Sequence, residues 1–123
     1  MTIQELKNII SEGGATFKEG VPVIHHSGYQ VAVLYGASVY ENTNEEHEAL
    51  LVAINDGIIP DGGIWLNPDT NMIEVDLLTV HISDRQDAIN LAKHFNQKAI
   101  FDWSTFDSIN LSDSYIEMHA REE

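Results

Sequence analysis

The stretch SDRQDAINLAKHFNQKAIFDW, residues 83–103, carries the clearest local signals in the chain. Ser83 is a favourable N-cap residue, and Gln86 three positions later completes an S-x-x-Q capping box. Apolar residues then recur at helical spacing, namely Ala88, Ile89, Ala92 and Phe95. These signals predict a helix that begins after Ser83 and ends near Gln97. The apolar run AIF at 99–101, closed by Asp102, predicts a short buried strand directly after the helix.

Two further helices are predicted from the same kind of end signal. A T-x-x-E capping box at Thr2 and the pair Gly13-Gly14 bound a helix over residues 2–10. A second T-x-x-E box at Thr43, followed by Gly57, bounds a helix over residues 42–56.

Alternating or short apolar runs between these helices predict strands. The predicted strands are residues 15–17, 21–24, 29–35, 64–66, 72–82 and 109–111. Pro22 places the second of them at a sheet edge, and the turn residues 67–71 join the fourth and fifth in a hairpin. The chain is therefore predicted to be a single α+β domain over residues 1–123, an antiparallel sheet with packed helices and a polar, fraying tail at 112–123.

Composition limits the class of protein. A length of 123 residues and a hydrophobic fraction of 43% fit one globular domain. No apolar run is long enough to span a bilayer, and no targeting signal is recognisable. The absence of cysteine excludes disulfides, thiol catalysis and cysteine-ligated zinc. We expect a soluble intracellular protein with no membrane association.

The net charge of −14 is the strongest compositional signal. No lysine or arginine lies between Glu19 and Asp84, and that interval, ends included, contains eleven acidic residues. A protein that neutralises phosphates needs the opposite distribution, so nucleic-acid binding is not expected. The acidic surface promotes solubility, or it imitates nucleic acid toward a basic partner.

The histidines invite a metal hypothesis, which their spacing does not support. His25 and His26 are adjacent, and adjacent side chains in a strand point to opposite faces. The remaining histidines, His47, His81, His94 and His119, form no H-x-x-x-H or H-E-x-x-H motif. We therefore expect exposed or strand-edge histidines and no metal site.

Catalytic motifs are also missing from the sequence. Glu45-Glu46 and the pair Glu74 and Asp76 bring carboxylates together, but no nucleophile or basic clamp accompanies them. No Walker loop, G-x-G-x-x-G or G-x-S-x-G is present. The sequence predicts a protein that is not an enzyme and that carries no cofactor.

One anion-binding feature remains at the helix that follows Ser83. Its first turn has unpaired backbone N–H groups and includes Arg85, so a phosphate there would meet both amides and a guanidinium. The aromatic residues able to stack on a base are Tyr29, Tyr35, Trp65, Phe95, Phe101 and Trp103. We expect most of them in the core, with Trp65 and Trp103 partly exposed beside turns.

Several short segments together resemble small phage and mobile-element proteins. The matching segments are GGATF at 13–17, GYQV at 28–31, GGIW at 62–65, VD at 75–76 and the stretch from Asp84 through Asp102. Within that group the sequence most resembles the phage anti-Thoeris sponge family. Those proteins are not enzymes, and they sequester the cyclic ADP-ribose isomer that a host TIR-domain protein makes as an alarm signal.

This resemblance implies a homo-oligomer in the host cytoplasm with a nucleotide pocket at the subunit interface. The implied ligand-binding residues are Asp84, Arg85, Asn96, Gln97, Phe101 and Trp103. Arg85 would contact phosphate, Asn96 and Gln97 would bond ribose or base, and Phe101 or Trp103 would stack on adenine. The chain departs from the family in its few cations, because Arg85, Lys93, Lys98 and Arg121 are the only ones in its C-terminal half. Paired copies of Arg85 or Arg121, or backbone amides, would have to compensate.

A second hypothesis places the function on the acidic surface. An acidic protein of this size would inhibit a basic host nuclease by presenting carboxylates where DNA phosphates lie. The cluster at 41–48, with Asp56, Asp61 and Asp69, would form that surface. A sponge binds a small molecule saturably, whereas a mimic forms a salt-sensitive protein complex.

Overall fold

A computed structural model describes residues 1–34 and 38–111, and within them it confirms the predicted α+β fold. The helices are α1 (Ile3–Ser11), α2 (Asn44–Asn55) and α3 (Arg85–His94). The strands are β1 (Gly14–Lys18), β2 (Val21–Val23), β3 (Tyr29–Ala32), β4 (Ser38–Glu41), β5 (Gly63–Asn67), β6 (Met72–Asp76), β7 (Thr79–Ile82), β8 (Ala99–Asp102) and β9 (Asp107–Asn110). Predictions for Tyr35, Arg121, His119 and the tail 112–123 lie outside the described residues.

The chain divides into two compact units, and the first comprises Met1–Val23 and Gly36–Thr79. Its sheet has the order β2-β1-β5-β6-β4, so the strand that contains Pro22 lies at an edge, as predicted. The apolar faces of α1 and α2 pack with one face of this sheet. The buried core is Leu6, Ile10, Phe17, Leu50, Ile54, Ile59, Ile64, Ile73 and Val75.

The second unit comprises Ile24–Tyr35 and Val80–Glu123. Its sheet has the order β7-β3-β8-β9, and α3 packs on β3 and β8. The core is Val31, Ala88, Ile89, Ala92, Ile100 and Leu111, which includes three of the four residues predicted as the apolar stripe of the helix. The last strand, predicted at 109–111, is β9 over Asp107–Asn110 and pairs with β8 in antiparallel register.

Helix ends follow local chemistry where the signal is unambiguous. Thr2 and Glu5 form the reciprocal capping box of α1. Thr43 caps α2 by accepting a hydrogen bond from the Glu46 amide, and Gly57 follows the helix at φ 76°, a conformation that favours glycine.

The predicted ends of α3 are wrong at both termini. The N-cap is Asp84 rather than Ser83, because the Asp84 carboxylate accepts from the Asp87 amide at 2.9 Å. An aspartate caps as well as a serine and adds a favourable charge at the positive end of the helix. The helix ends at His94, since Asn96 adopts φ 55° and Gln97 N–H donates to the Ala92 carbonyl, which closes a Schellman motif.

The predicted strand at 72–82 is wrong as one element. It is two strands, and β6 belongs to the five-stranded sheet whereas β7 belongs to the four-stranded sheet. Side-chain alternation continues across the exposed pair Leu77 and Leu78, so the pattern alone does not show the break. The sequence analysis also misses β4 and extends β3 beyond Ala32, where the strand ends.

His47 is buried within a polar network, contrary to the expectation of an exposed histidine. Lys7 Nζ donates to Asn44 Oδ1 at 2.6 Å and lies 3.1 Å from His47 Nδ1. An ammonium group only donates, so Nδ1 is the acceptor and the imidazole is neutral with its proton on Nε2, 2.7 Å from Asn42 Oδ1. Burial, and then the charge of Lys7, lower the pKa of His47.

This network predicts a pH dependence of stability. The pKa of His47 in the folded chain lies below its ordinary value of 6.5, so the unfolded chain takes up the proton first as the pH falls. The contribution is present above about pH 6.5 and is lost on acidification. We expect His47→Gln to reduce the loss of unfolding free energy between pH 7.5 and 5.5, measured in urea. His26→Gln, at an exposed histidine, is the matched control, and an unchanged slope in His47→Gln would contradict the assignment.

The single-domain prediction can be tested because each unit contains one tryptophan, Trp65 in the first and Trp103 in the second. One cooperative domain requires the fluorescence and circular dichroism transitions to coincide in both Trp65→Phe and Trp103→Phe. In each variant, the fluorescence of the remaining tryptophan reports one unit and circular dichroism reports the whole chain. If the two transitions of either variant do not coincide, the two units unfold separately.

Candidate functional site

Three segments of the second unit meet at one end of the four-stranded sheet. The ring nitrogen Nε2 of His81, near the end of β7, lies 2.8 Å from the carbonyl oxygen of Ser27, just before β3. The amide of Trp103, just after β8, donates to the Gly28 carbonyl at 3.0 Å. The ends of β7 and β8 therefore meet the start of β3. We call this region, with the ring side chains described below, the aromatic end.

The opposite end of the sheet holds the end of α3. Gln97 Nε2 donates to the Leu34 carbonyl at 2.7 Å, beyond the last residue of β3. A helix of ten residues spans about 15 Å, so the first turn of α3 and Gln97 are far apart. The structure brings Asp84, Arg85, Phe101 and Trp103 to the aromatic end, but it places Asn96 and Gln97 at the opposite end. The six residues therefore do not all meet at one end of the sheet within a chain, and the prediction that they line a pocket between subunits stays a prediction.

Trp103 is the buried residue of the aromatic end. Its side chain is 4% exposed, contrary to the expectation of partial exposure. The indole N–H donates to Gln30 Oε1 at 3.0 Å, and Gln30 is itself buried. This hydrogen bond satisfies the polar atom of the indole and allows the whole ring to be buried beside a turn.

Three rings contact Trp103, and a fourth, that of His81, stacks on one of them. His25 stacks on His81 with centroids 4.1 Å apart and meets the edge of Trp103 at 5.3 Å. Phe101 meets Trp103 edge-on at 4.9 Å, and Phe106 lies 5.9 Å from Trp103. Phe106 is more than half exposed, whereas Phe101 is half-buried.

That His25, His81 and Phe106 belong to one cluster is not predicted from the sequence. The histidines are far apart in the chain and were considered only as metal ligands. Phe106 lies in the polar turn STFDS at 104–108, and a large aromatic side chain in such a turn is a signal for an exposed ring.

A compact turn after β8 positions Phe106. The backbone amide and the hydroxyl of Ser104 both donate to Asp102 Oδ1, at 2.9 and 2.7 Å. These bonds, the hydroxyl's first, lower the pKa of Asp102. The ionised carboxylate therefore holds the turn that returns the chain through Phe106 into β9.

The first turn of α3 differs from the predicted anion site. The Asp84 carboxylate already occupies the N-cap, and it takes the amide of Asp87. A phosphate at the helix axis would meet this negative charge, so the amides are a poor substitute for missing cations. Arg85, in this first turn, has an exposed side chain.

The remaining candidates lie elsewhere. Trp65 belongs to the first unit, is half-buried, and donates its indole N–H to Asp76 Oδ2 at 3.2 Å. Tyr29 packs against the core of the second unit, and Phe95 lies against His94. Glu45 and Glu46 lie in the first turn of α2, where Glu45 is exposed and Glu46 is half-buried.

Residues 1–34 and 38–111 contain no group of three or more histidine, aspartate or glutamate side chains that could hold a metal ion. In the same part of the chain, no helix is long and apolar enough to cross a membrane.

Comparison of the chain with protein families, with curated proteins and with solved structures gives no match. The resemblance to anti-Thoeris proteins and the function that it implies therefore stay predictions.

The corrected N-cap can be tested by paired substitutions. Asp84→Ala removes the side chain that accepts from the Asp87 amide and is expected to lower the free energy of unfolding by about 1 kcal/mol. Ser83→Ala is expected to change it by less than about 0.5 kcal/mol, since Ser83 is exposed and is not the cap. Urea unfolding measures both, and a larger cost for Ser83→Ala would restore the original assignment.

Proposed function

We propose that this protein binds a cyclic ADP-ribose-type signalling nucleotide without cleaving it, and so blocks Thoeris immunity in the host cytoplasm. The observation that supports this most is the aromatic end, where an exposed phenylalanine and a half-buried one lie against a buried tryptophan. The sequence resemblance supports the class of ligand.

The rings suit a purine base. Phe101 and Phe106 are held by Trp103, whose indole is fixed by Gln30, so a base would stack on preordered side chains. Stacking of one base on an aromatic side chain contributes about 1–3 kcal/mol and does not depend on hydrogen bonds to the base. The stacked rings of His25 and His81 extend this aromatic surface beside Trp103.

The phosphates would be bound by Arg85. A guanidinium forms charge-assisted, bidentate hydrogen bonds to phosphate oxygens. One such residue per chain is few for a pyrophosphate, so the proposal includes an oligomer in which two copies of Arg85 reach one ligand. The exposed side chain of Phe106 offers apolar area for that association.

Capture and release of the ligand tests the proposal directly. Purified protein is mixed with cyclic ADP-ribose isomers, filtered and heat-denatured, and the released nucleotide is identified by chromatography. We expect one isomer to be recovered intact in a fixed ratio to the protein. Recovery of a cleaved product would show an enzyme instead, and no retention at micromolar ligand would refute the proposal.

Three variants locate the site in the same assay. Arg85→Ala is expected to weaken binding about tenfold or more, because it removes a charged hydrogen bond. Lys98→Ala removes the same charge beyond the opposite end of α3 and is the matched control. Asp84→Asn keeps the helix cap and removes its charge, so binding should hold or improve. Equal losses for Arg85→Ala and Lys98→Ala would contradict this placement.

The charge of the first unit supports a second candidate function, inhibition of a basic host protein. This unit contains twelve acidic residues and only two lysines, so it holds most of the net charge. On α2, Glu45 and Glu48 are exposed and Glu46 is half-buried. A salt-sensitive complex with a basic nuclease that is lost in Glu45→Gln/Glu46→Gln, and kept in Arg85→Ala, would favour this function over the sponge.

A further inference from the structure

Two histidine rings stack on each other at the aromatic end. The ring centroids of His25 and His81 lie 4.1 Å apart, with an angle of 20° between the ring planes. Gly28 leaves the space for this arrangement, because a Cβ at that position would collide with Nε2 of His81. His81 is an exposed residue, so solvent and a ligand can reach its side chain. The pair is therefore both held in place by the fold and accessible.

One ring nitrogen of His81 is already bonded to the backbone. Nε2 lies 2.8 Å from the carbonyl oxygen of Ser27, which only accepts, so Nε2 carries the proton of the neutral ring. The proton that charges the ring is therefore taken up at Nδ1. The bond to Ser27 is kept in the charged ring and becomes charge-assisted. Protonation of His81 thus leaves its hydrogen bond to the backbone in place.

The stacked arrangement favours one positive charge and opposes two. A cation over the face of a neutral aromatic ring is attracted to that ring. Two imidazolium rings whose centroids are 4.1 Å apart would instead repel each other. The rings of His25 and His81 therefore act as one unit that holds a single added proton. Because His81 keeps its hydrogen bond to Ser27 when it is charged, that proton belongs to His81.

Acidic groups dominate the charge of the segments that meet at the aromatic end. Besides the pair, these segments carry the titratable or charged side chains of His26, Tyr29, Asp84, Arg85, Asp102 and Asp107. The carboxylates of Asp84 and Asp102 each accept a hydrogen bond within their own turn. Among these six residues Arg85 is the one permanent positive charge, against three carboxylates. A charged His81 would be the second positive charge available to an anionic ligand.

We propose, on the basis of the nucleotide function proposed above, that protonated His81 binds a phosphate group of the ligand through its Nδ1–H, beside Arg85. The complex then holds one proton more than the free protein, so binding strengthens as the pH falls into the range in which histidine becomes charged. Lys93 and Lys98 lie in the last turn of α3 and beyond it, so His81 supplies charge where the sequence places no lysine.

The pH dependence of binding tests this role of His81. The dissociation constant of the full-length protein for the cyclic ADP-ribose isomer recovered by capture and release is measured by calorimetry at pH 8 and at pH 6, at constant ionic strength. The pyrophosphate of this ligand keeps its charge between these two values, so a change in affinity reports the protein. We expect binding to be about tenfold tighter at pH 6, because a charged hydrogen bond is added.

Four variants assign the proton. His81→Gln keeps a donor for the Ser27 carbonyl but cannot be charged, so its affinity should be the same at both pH values. His25→Phe keeps a ring in the stack and should retain the pH dependence. His26→Gln, at a neighbouring exposed histidine, is the matched control and should behave as the wild type does. Arg85→Ala should weaken binding at both pH values without removing the pH dependence.

Equal affinity at pH 6 and pH 8 in the wild type, or an unchanged pH dependence in His81→Gln, would overturn this role of His81 and leave the nucleotide function in place. If no isomer binds at either pH, the nucleotide function fails, and sulfate, whose charge is constant in this range, tests His81 by itself. Saturable shifts of the His81 ring-proton resonances with sodium sulfate at pH 6, absent at pH 8 and absent with sodium chloride at equal ionic strength, would support the anion site. No such shift at pH 6 would overturn it.

Discussion

The hydrogen bond between Trp103 and Gln30 is the interaction on which the aromatic end depends. Both side chains are buried, and without this bond the indole N–H of Trp103 would lose its buried acceptor. The bond joins the residue that follows β8 to the middle of β3, and it fixes the ring against which His25, Phe101 and Phe106 lie. This one hydrogen bond therefore orders the rings of the aromatic end.

The two tryptophans give the two units different chemistry. Trp103 donates to a neutral amide and is fully buried, so its unit presents rings suited to an uncharged, planar base. Trp65 donates to a carboxylate whose pKa is raised by burial, in the unit that holds most of the negative charge. The first arrangement favours stacking, and the second favours a cation.

Local structure could be predicted from the sequence, because caps and turns depend on a few adjacent residues. The Thr2 capping box, the Thr43 cap and Gly57 are confirmed on that basis. The start of α3 was misplaced by one residue because Ser83 and Asp84 are both good caps, and the sequence does not show which side chain meets an amide. The division of residues 72–82 between two sheets depends on which distant strands they pair with. The alternation of apolar and polar side chains along the segment does not show those partners.

The candidate site was predicted only in part for the same reason. Arg85 and Trp103 lie at one end because β7 and β8 both finish there, whereas Asn96 and Gln97 are carried away by the length of α3. Residues that belong to one sequence motif lie far apart in space when a helix connects them. His25 and His81 come into contact because β7, which contains His81, lies next to β3, which follows His25.

The most direct measurement is amide chemical-shift mapping of the protein with a cyclic ADP-ribose isomer. The account predicts that the largest changes fall at residues 25–28, 81–86 and 101–106, with the Trp103 indole among them. Changes concentrated at residues 95–97, at 63–76, or nowhere in the chain would contradict it.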